Sequence, residues 1–150
     1  MKNLLETTRA EEIKDRLKQL SADSQPLWGT MNAAQMLAHC AGALRMSFGE
    51  IPPVRHFFTN ILGFLIKPLV FKNDEPLRRN APTTQALVMT GELDIETERA
   101  QLGALIDRFV KAAPADITSL PHSFFGKLTQ AEWAILMYKH LDHHLRQFGV

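Results

Sequence analysis

Residues 129–149 read TQAEWAILMYKHLDHHLRQFG, Thr129 to Gly149, and this stretch decides the fold. Trp133, Leu136, Met137, His140, Leu141, His144 and Phe148 recur at three- and four-residue steps, the period of an α-helix that buries one face. Thr129-Gln130-Ala131-Glu132 has the form of a capping box, so the helix starts there and runs to about Gln147. Two histidines therefore sit on the buried stripe, one turn apart. Side chains at i and i+4 leave the same face roughly 6 Å apart, close enough for both rings to turn onto one ion. His143, about a quarter-turn away, is expected to point elsewhere.

Three further segments carry the same period. One begins near Asn32, an N-cap with Gln35 three residues on, buries Ala33, Met36, Leu37, Cys40 and Leu44, and ends around Phe48-Gly49. Another runs from about Thr8 to Leu20, with Ala10, Ile13, Leu17 and Leu20 inward, before Ser21 to Pro26 breaks it. A third runs from about Ile95 to Ala112, with Leu102, Leu105, Ile106, Phe109 and Val110 on one side and Pro114 beyond its end. Between Glu50 and Leu93 lies a long connection with its own apolar stretch, Phe57 to Phe71, prolines at 68, 76 and 82, and the turn-prone Lys72-Asn73-Asp74-Glu75. No sustained strand-like alternation and no internal repeat occurs. The chain is expected to be all-α: a four-helix bundle in one domain, 1–150, with an extra helix in the crossover between the second and third bundle helices.

With 17 basic and 16 acidic side chains nearly cancelling, the chain lacks the one-sided basic field of a nucleic-acid binder. A lone cysteine, Cys40, forms no internal disulfide, and the opening residues carry no apolar leader, so a cytoplasmic protein is expected. The Phe57–Phe71 stretch falls short of the ~20 apolar residues that span a bilayer and contains Asn60, Lys67 and Pro68. Val54, Phe58, Ile61, Leu62, Leu65 and Leu69 share one side of it, with His56, Thr59, Asn60, Gly63 and Lys67 opposite. The plain expectation is a helix packed by its apolar side; a membrane-surface or partner-binding helix is the alternative.

A third ligand for the histidine pair has to come from another helix. His39, mid-helix on the shoulder of the second helix's buried stripe, is the best candidate. Asn32, Gln35 and Gln147 lie on nearby faces and are candidates for orienting ligands or substrate. His122 lies in a loop before Phe124-Phe125-Gly126-Lys127 and His56 on the polar side of the crossover helix; both fit simple solvation. Cys40 next to His39 points about 100° away from it and reads as a packed core thiol rather than half of a Cys–His dyad. No G-x-S-x-G elbow occurs. The competing view of His140 and His144 is structural, since paired helical histidines also hydrogen-bond to backbone or carboxylates.

The segment Trp28-Gly29-Thr30-Met31-Asn32-Ala33-Ala34-Gln35-Met36-Leu37-Ala38-His39, the tail from Tyr138 to Gly149, and the elements Pro82-Thr83 and Phe125-Gly126-Lys127-Leu128-Thr129 together resemble an uncharacterised branch of the DinB superfamily. The resemblance implies a four-helix bundle whose divalent metal is held by one histidine of the second helix and an H-x-x-x-H pair of the last, matching His39, His140 and His144. It also implies thiol-dependent S-transferase or isomerase activity, with mycothiol, bacillithiol or glutathione as cosubstrate, although many members have no known activity. Three imidazoles leave coordination positions open, as catalytic sites do. Zinc or nickel is the expected occupant, with iron, manganese or copper as alternatives. Three readings stand together: a metal-dependent S-transferase or hydrolase acting on a small molecule, a non-catalytic ligand-binding module, and a structural bundle. A homodimer through the Phe57–Phe71 helix is a further expectation.

Overall fold

The computed structural model describes residues 1–54, 57–81 and 83–150, and the side chains of 57–61 fall outside that description, as do His56 and Pro82. Five α-helices and no strand occur among the described residues: α1 Thr7–Leu17, α2 Ala33–Ser47, α3 Phe57–Val70, α4 Ile95–Val110 and α5 Gln130–Gln147. Short 3₁₀ turns lie at Gln85–Leu87 and Pro114–Asp116. The all-helical expectation holds, with the extra helix in the crossover.

Caps set the starts of the helices that matter most. Asn32 Oδ1 accepts the Gln35 backbone N–H at 2.9 Å while Gln35 Oε1 accepts the Asn32 N–H at 3.1 Å, closing a reciprocal box ahead of α2. Thr129 and Glu132 do the same for α5, at 3.2 and 2.8 Å. Asp94 caps α4 through the Thr97 N–H at 2.8 Å. α1 stops at Leu17, three residues before Leu20, yet Leu20 still enters the core.

The principal helix contacts pair α2 with α4 and α5, and α1 with α4 and α5. α2 is the most enclosed element: 13 of its 15 residues are buried, among them five alanines and Gly42. These small side chains let neighbouring backbones approach on all sides, and Leu87 of the crossover sits where a Cβ on Gly42 would stand, 2.7 Å from it. Trp133, Phe109, Met36, Leu37, Leu44, Leu102, Ile106 and Leu141 form the centre of the core, and Leu4 joins it from ahead of α1 with no exposed surface.

The crossover helix overturns one expectation. The described part of the apolar side of α3 faces outward: Leu62, Leu65 and Leu69 are 51, 64 and 58% exposed, with Phe64 beside them at 73%, while Phe58 and Ile61 fall outside the described side chains. It docks by the other side, where Gly63 is buried so tightly that a Cβ would lie 1.8 Å from the Phe124 carbonyl oxygen. Lys67 pairs with Glu132 at 2.8 Å and donates to the Lys127 carbonyl at 2.8 Å, while Lys139 of α5 donates to the Val70 and Glu75 carbonyls at 2.7 and 3.0 Å. Backbone proximity and lysine hydrogen bonds hold α3, so amphipathicity named its two faces and misassigned them. Pro68 lies inside α3, in its last turn. No helix among the described residues is long and apolar enough to cross a membrane.

Candidate metal centre

His39 from α2 and His140 and His144 from α5 meet between the two helices. One ring nitrogen of each lies within 4.8 Å of the others. The ring centroids are 4.9 Å apart for His39–His140 and 4.7 Å for both His39–His144 and His140–His144.

Hydrogen bonds settle which nitrogen faces inward. His39 Nδ1 donates to the Leu87 carbonyl at 2.9 Å, which leaves its Nε2 as a lone pair. His144 Nδ1 donates to Gln147 Oε1 at 2.8 Å, and the Gln147 amide nitrogen donates in turn to the Trp28 carbonyl at 2.6 Å, which identifies Oε1 as the acceptor. His140 Nε2 is buried with no hydrogen-bond partner. A buried ring nitrogen without a partner is unusual in a folded protein and is what a coordinating nitrogen looks like before its ion is counted. Gly29 is needed for this relay: at φ +80° it passes so close to Gln147 that a Cβ would stand 2.5 Å from Nε2.

Electrostatics keep the rings neutral. Burial depresses the His39 pKa, with the Leu87 hydrogen bond opposing; burial and then the neighbouring rings His144 and His39 hold His140 well below the usual histidine range; burial, then His39, takes His144 down to about 3. Neutral imidazole is the ligating form. The donor set fits a divalent ion with open positions: three neutral nitrogens converge, two with their far nitrogen anchored by an oxygen.

The centre forms part of the wall of a cavity of about 500 Å³, lined by α2, α5, residues 28–31, crossover residues 77–81 and 83–89, and the turn His122–Phe125. That volume lies within the ~300–1,000 Å³ of small-molecule pockets. Gln35 borders the cavity, but its side chain serves the α2 cap and the Gly91 carbonyl at 3.1 Å; Asn32 likewise bonds within the cap. Gln147 is the one of the three that touches a histidine of the cluster.

Two histidines join the cavity that sequence reasoning set aside. His143 lies on its wall, its ring 5.0 Å from His144 and 5.7 Å from Trp28, where burial lowers its pKa against a hydrogen bond to the Leu77 backbone. The tail of α5 is wrapped by residues 27–29, so even its flank is enclosed. His122 is not a solvated loop residue: its ring lies 5.2 Å from Phe125 and 5.4 Å from Trp133, and burial takes it down to about 4. Its Nδ1 accepts the N–H groups of Phe124 and Phe125 at 3.0 and 3.2 Å, so the proton of the neutral ring sits on Nε2. The turn closes through paired backbone bonds between His122 and Gly126, with Gly126 at φ +71°. Cys40 is a packed core thiol, 1% exposed, donating to Met36 Sδ at 3.7 Å, and burial pushes its pKa far up.

No curated protein and no solved structure matches the chain. The family described as "Protein of unknown function (DUF1569)" matches residues 1–149, and the chain belongs to that family.

Proposed function

We propose that the protein is a metal-dependent enzyme of the thiol S-transferase or hydrolase type, built as a DinB-like bundle with His39, His140 and His144 as the metal ligands. The observation that carries this reading is the convergence of three neutral imidazoles within 4.8 Å on the wall of a cavity of about 500 Å³. Zinc or nickel suits the all-imidazole set, with iron or manganese as alternatives. A divalent ion bound there supplies Lewis acidity, which lowers the pKa of a coordinated thiol or water at neutral pH.

The chain's own residues do the rest. His39 and His144 are held in one tautomer by Leu87 and Gln147, so their Nε2 lone pairs face inward. Trp133, Leu136, Met137 and Phe125 line an apolar wall that keeps water from a small-molecule substrate. A low-molecular-weight thiol is the cosubstrate this reading favours. Gln147 is a positioning residue, since it acts on the reaction only through His144. We place the enzyme in the cytoplasm and assign α3 as the surface of a homodimer, its exposed Leu62, Phe64, Leu65 and Leu69 supporting that assignment.

The test is elemental analysis of natively purified, tag-free protein beside the double variant His140→Ala/His144→Ala. About one ion per chain in the native protein and none in a folded variant is the expected result. Equal metal content in the two, or none in either after incubation with zinc or nickel, refutes the metal reading. Ligand binding without turnover in the metal-loaded protein makes it a binding module instead.

A further inference from the structure

The wall of the cavity has an unusual inventory. It includes histidines, indoles, amides, hydroxyls and Arg78, and no aspartate or glutamate among the described residues. Arg79 adds a second guanidinium beside it, stacked 4.0 Å over the Trp28 ring. Trp28, Trp133 and Ser123 border the cavity as well, with their indole N–H and hydroxyl groups buried out of its reach. Next to Ser123, His122 is locked as a donor, because its Nδ1 is filled by the Phe124 and Phe125 N–H groups and its proton is left on Nε2.

Charge points the same way. Three neutral imidazoles contribute nothing to offset a divalent ion, and no carboxylate on the wall does so either. An uncompensated positive site in an apolar enclosure favours an anionic occupant. The remaining lining is aliphatic and aromatic, with Leu77, Leu87, Met137 and Phe125 among it.

We infer that the molecule taken into this cavity has an apolar body ending in an anionic oxygen group, a carboxylate or a phosphate, which Arg78 and the His122 Nε2–H receive. This names the ligand class of the site proposed above and rests on that reading for the ion's share of the positive charge; Arg78 and His122 stand without it. A cationic or purely donor-bearing ligand finds no acceptor of matching charge on this wall.

The test uses four probes with the same six-carbon chain: hexanoate, hexyl phosphate, hexanamide and hexylamine. Binding is read by titration calorimetry and by the shift in Tm, on the native protein as purified and on an aliquot stripped with EDTA, with metal content recorded for both. At least one anion should bind tenfold or more tightly than hexanamide, with hexylamine weakest, and the better anion identifies the head group. Arg78→Met should weaken the anion at least tenfold with hexanamide unchanged, and Arg78→Lys should recover part of the loss. Arg78 is exposed, so its variants keep the fold, which an unchanged Tm without ligand verifies. No anion binding at millimolar concentration, equal binding of all four probes, or an anion preference that survives Arg78→Met overturns the inference. Metal present without anion preference defeats this inference alone; anion preference in protein that never takes up metal defeats the metal reading alone.

Discussion

Gln147→Leu removes a side chain of similar size that joins three parts of the site. In the native protein the Gln147 carbonyl oxygen accepts from His144 Nδ1 at 2.8 Å and its amide donates to the Trp28 carbonyl at 2.6 Å, with the side chain 3% exposed. Leucine fills the space and makes neither bond. The His144 N–H and the Trp28 carbonyl then lose their partners, each worth about 1–3 kcal/mol when fully buried. Trp28 is only half-buried, so water recovers part of its share, and the metal-free protein should lose about 2–4 kcal/mol in urea denaturation. Loss of an anchoring hydrogen bond behind a metal-binding histidine weakens metal affinity by about 10- to 100-fold. Zinc affinity is measured by competition against a chromophoric chelator. Gln147→Glu separates the two effects: its carboxylate still accepts from His144 and should restore zinc affinity, but cannot donate to Trp28 and should leave much of the stability loss. Zinc binding within twofold of native in Gln147→Leu, with His140→Ala unable to bind, would refute the proposed coupling of Gln147 to the ion through His144.

Two further outcomes follow from particular residues. His122 has a pKa of about 4 when folded, below the ordinary 6.5, so the unfolded chain takes up its proton first. The stability this neutral ring contributes is complete above about pH 6.5 and falls away as pH drops toward 4; His122→Gln should flatten the Tm-against-pH curve of the stripped protein across that window by up to one proton. If α3 joins two copies, native protein should run as a dimer in size-exclusion with light scattering and Leu65→Lys, at a 64% exposed position, as a monomer; a monomer in both ends the dimer proposal.

What could be read from the sequence is what local chemistry determines. The starts of α2 and α5 came out correctly because Asn32–Gln35 and Thr129–Glu132 cap their own helices, with no need of a distant partner. The i,i+4 spacing put His140 and His144 on one side of α5, and the shoulder position of His39 suited a residue between helices. The misses are non-local. Which side of α3 docks depends on the Phe124 carbonyl meeting Gly63, some sixty residues away in sequence. His143 faces the cavity because residues 27–29 fold over the end of α5, and no periodicity within α5 encodes that wrap. His122 did leave a trace: a histidine four residues ahead of Gly126 suits a tight turn in which the ring caps its own backbone, and the unread part was the burial of that turn against Trp133. Asn32 and Gln35 lie on faces that suit a ligand-orienting role, yet their side chains are occupied with the α2 cap and the Gly91 carbonyl.

The division of the cavity wall between rigid and irregular chain bears on how such a protein diversifies. The three clustered histidines stand on α2 and α5, where most side chains are buried and a substitution disturbs packing on several sides at once. The opposite wall is loop, at residues 77–81 and 83–89 and around His122, where exchanges and insertions are tolerated far better. Exchanges at the exposed positions of these two loops would therefore trade one ligand for another, so long as the Leu87 carbonyl that anchors His39 stays in place. Arg78, exposed and on the loop side of that boundary, is the kind of position at which paralogues should diverge first.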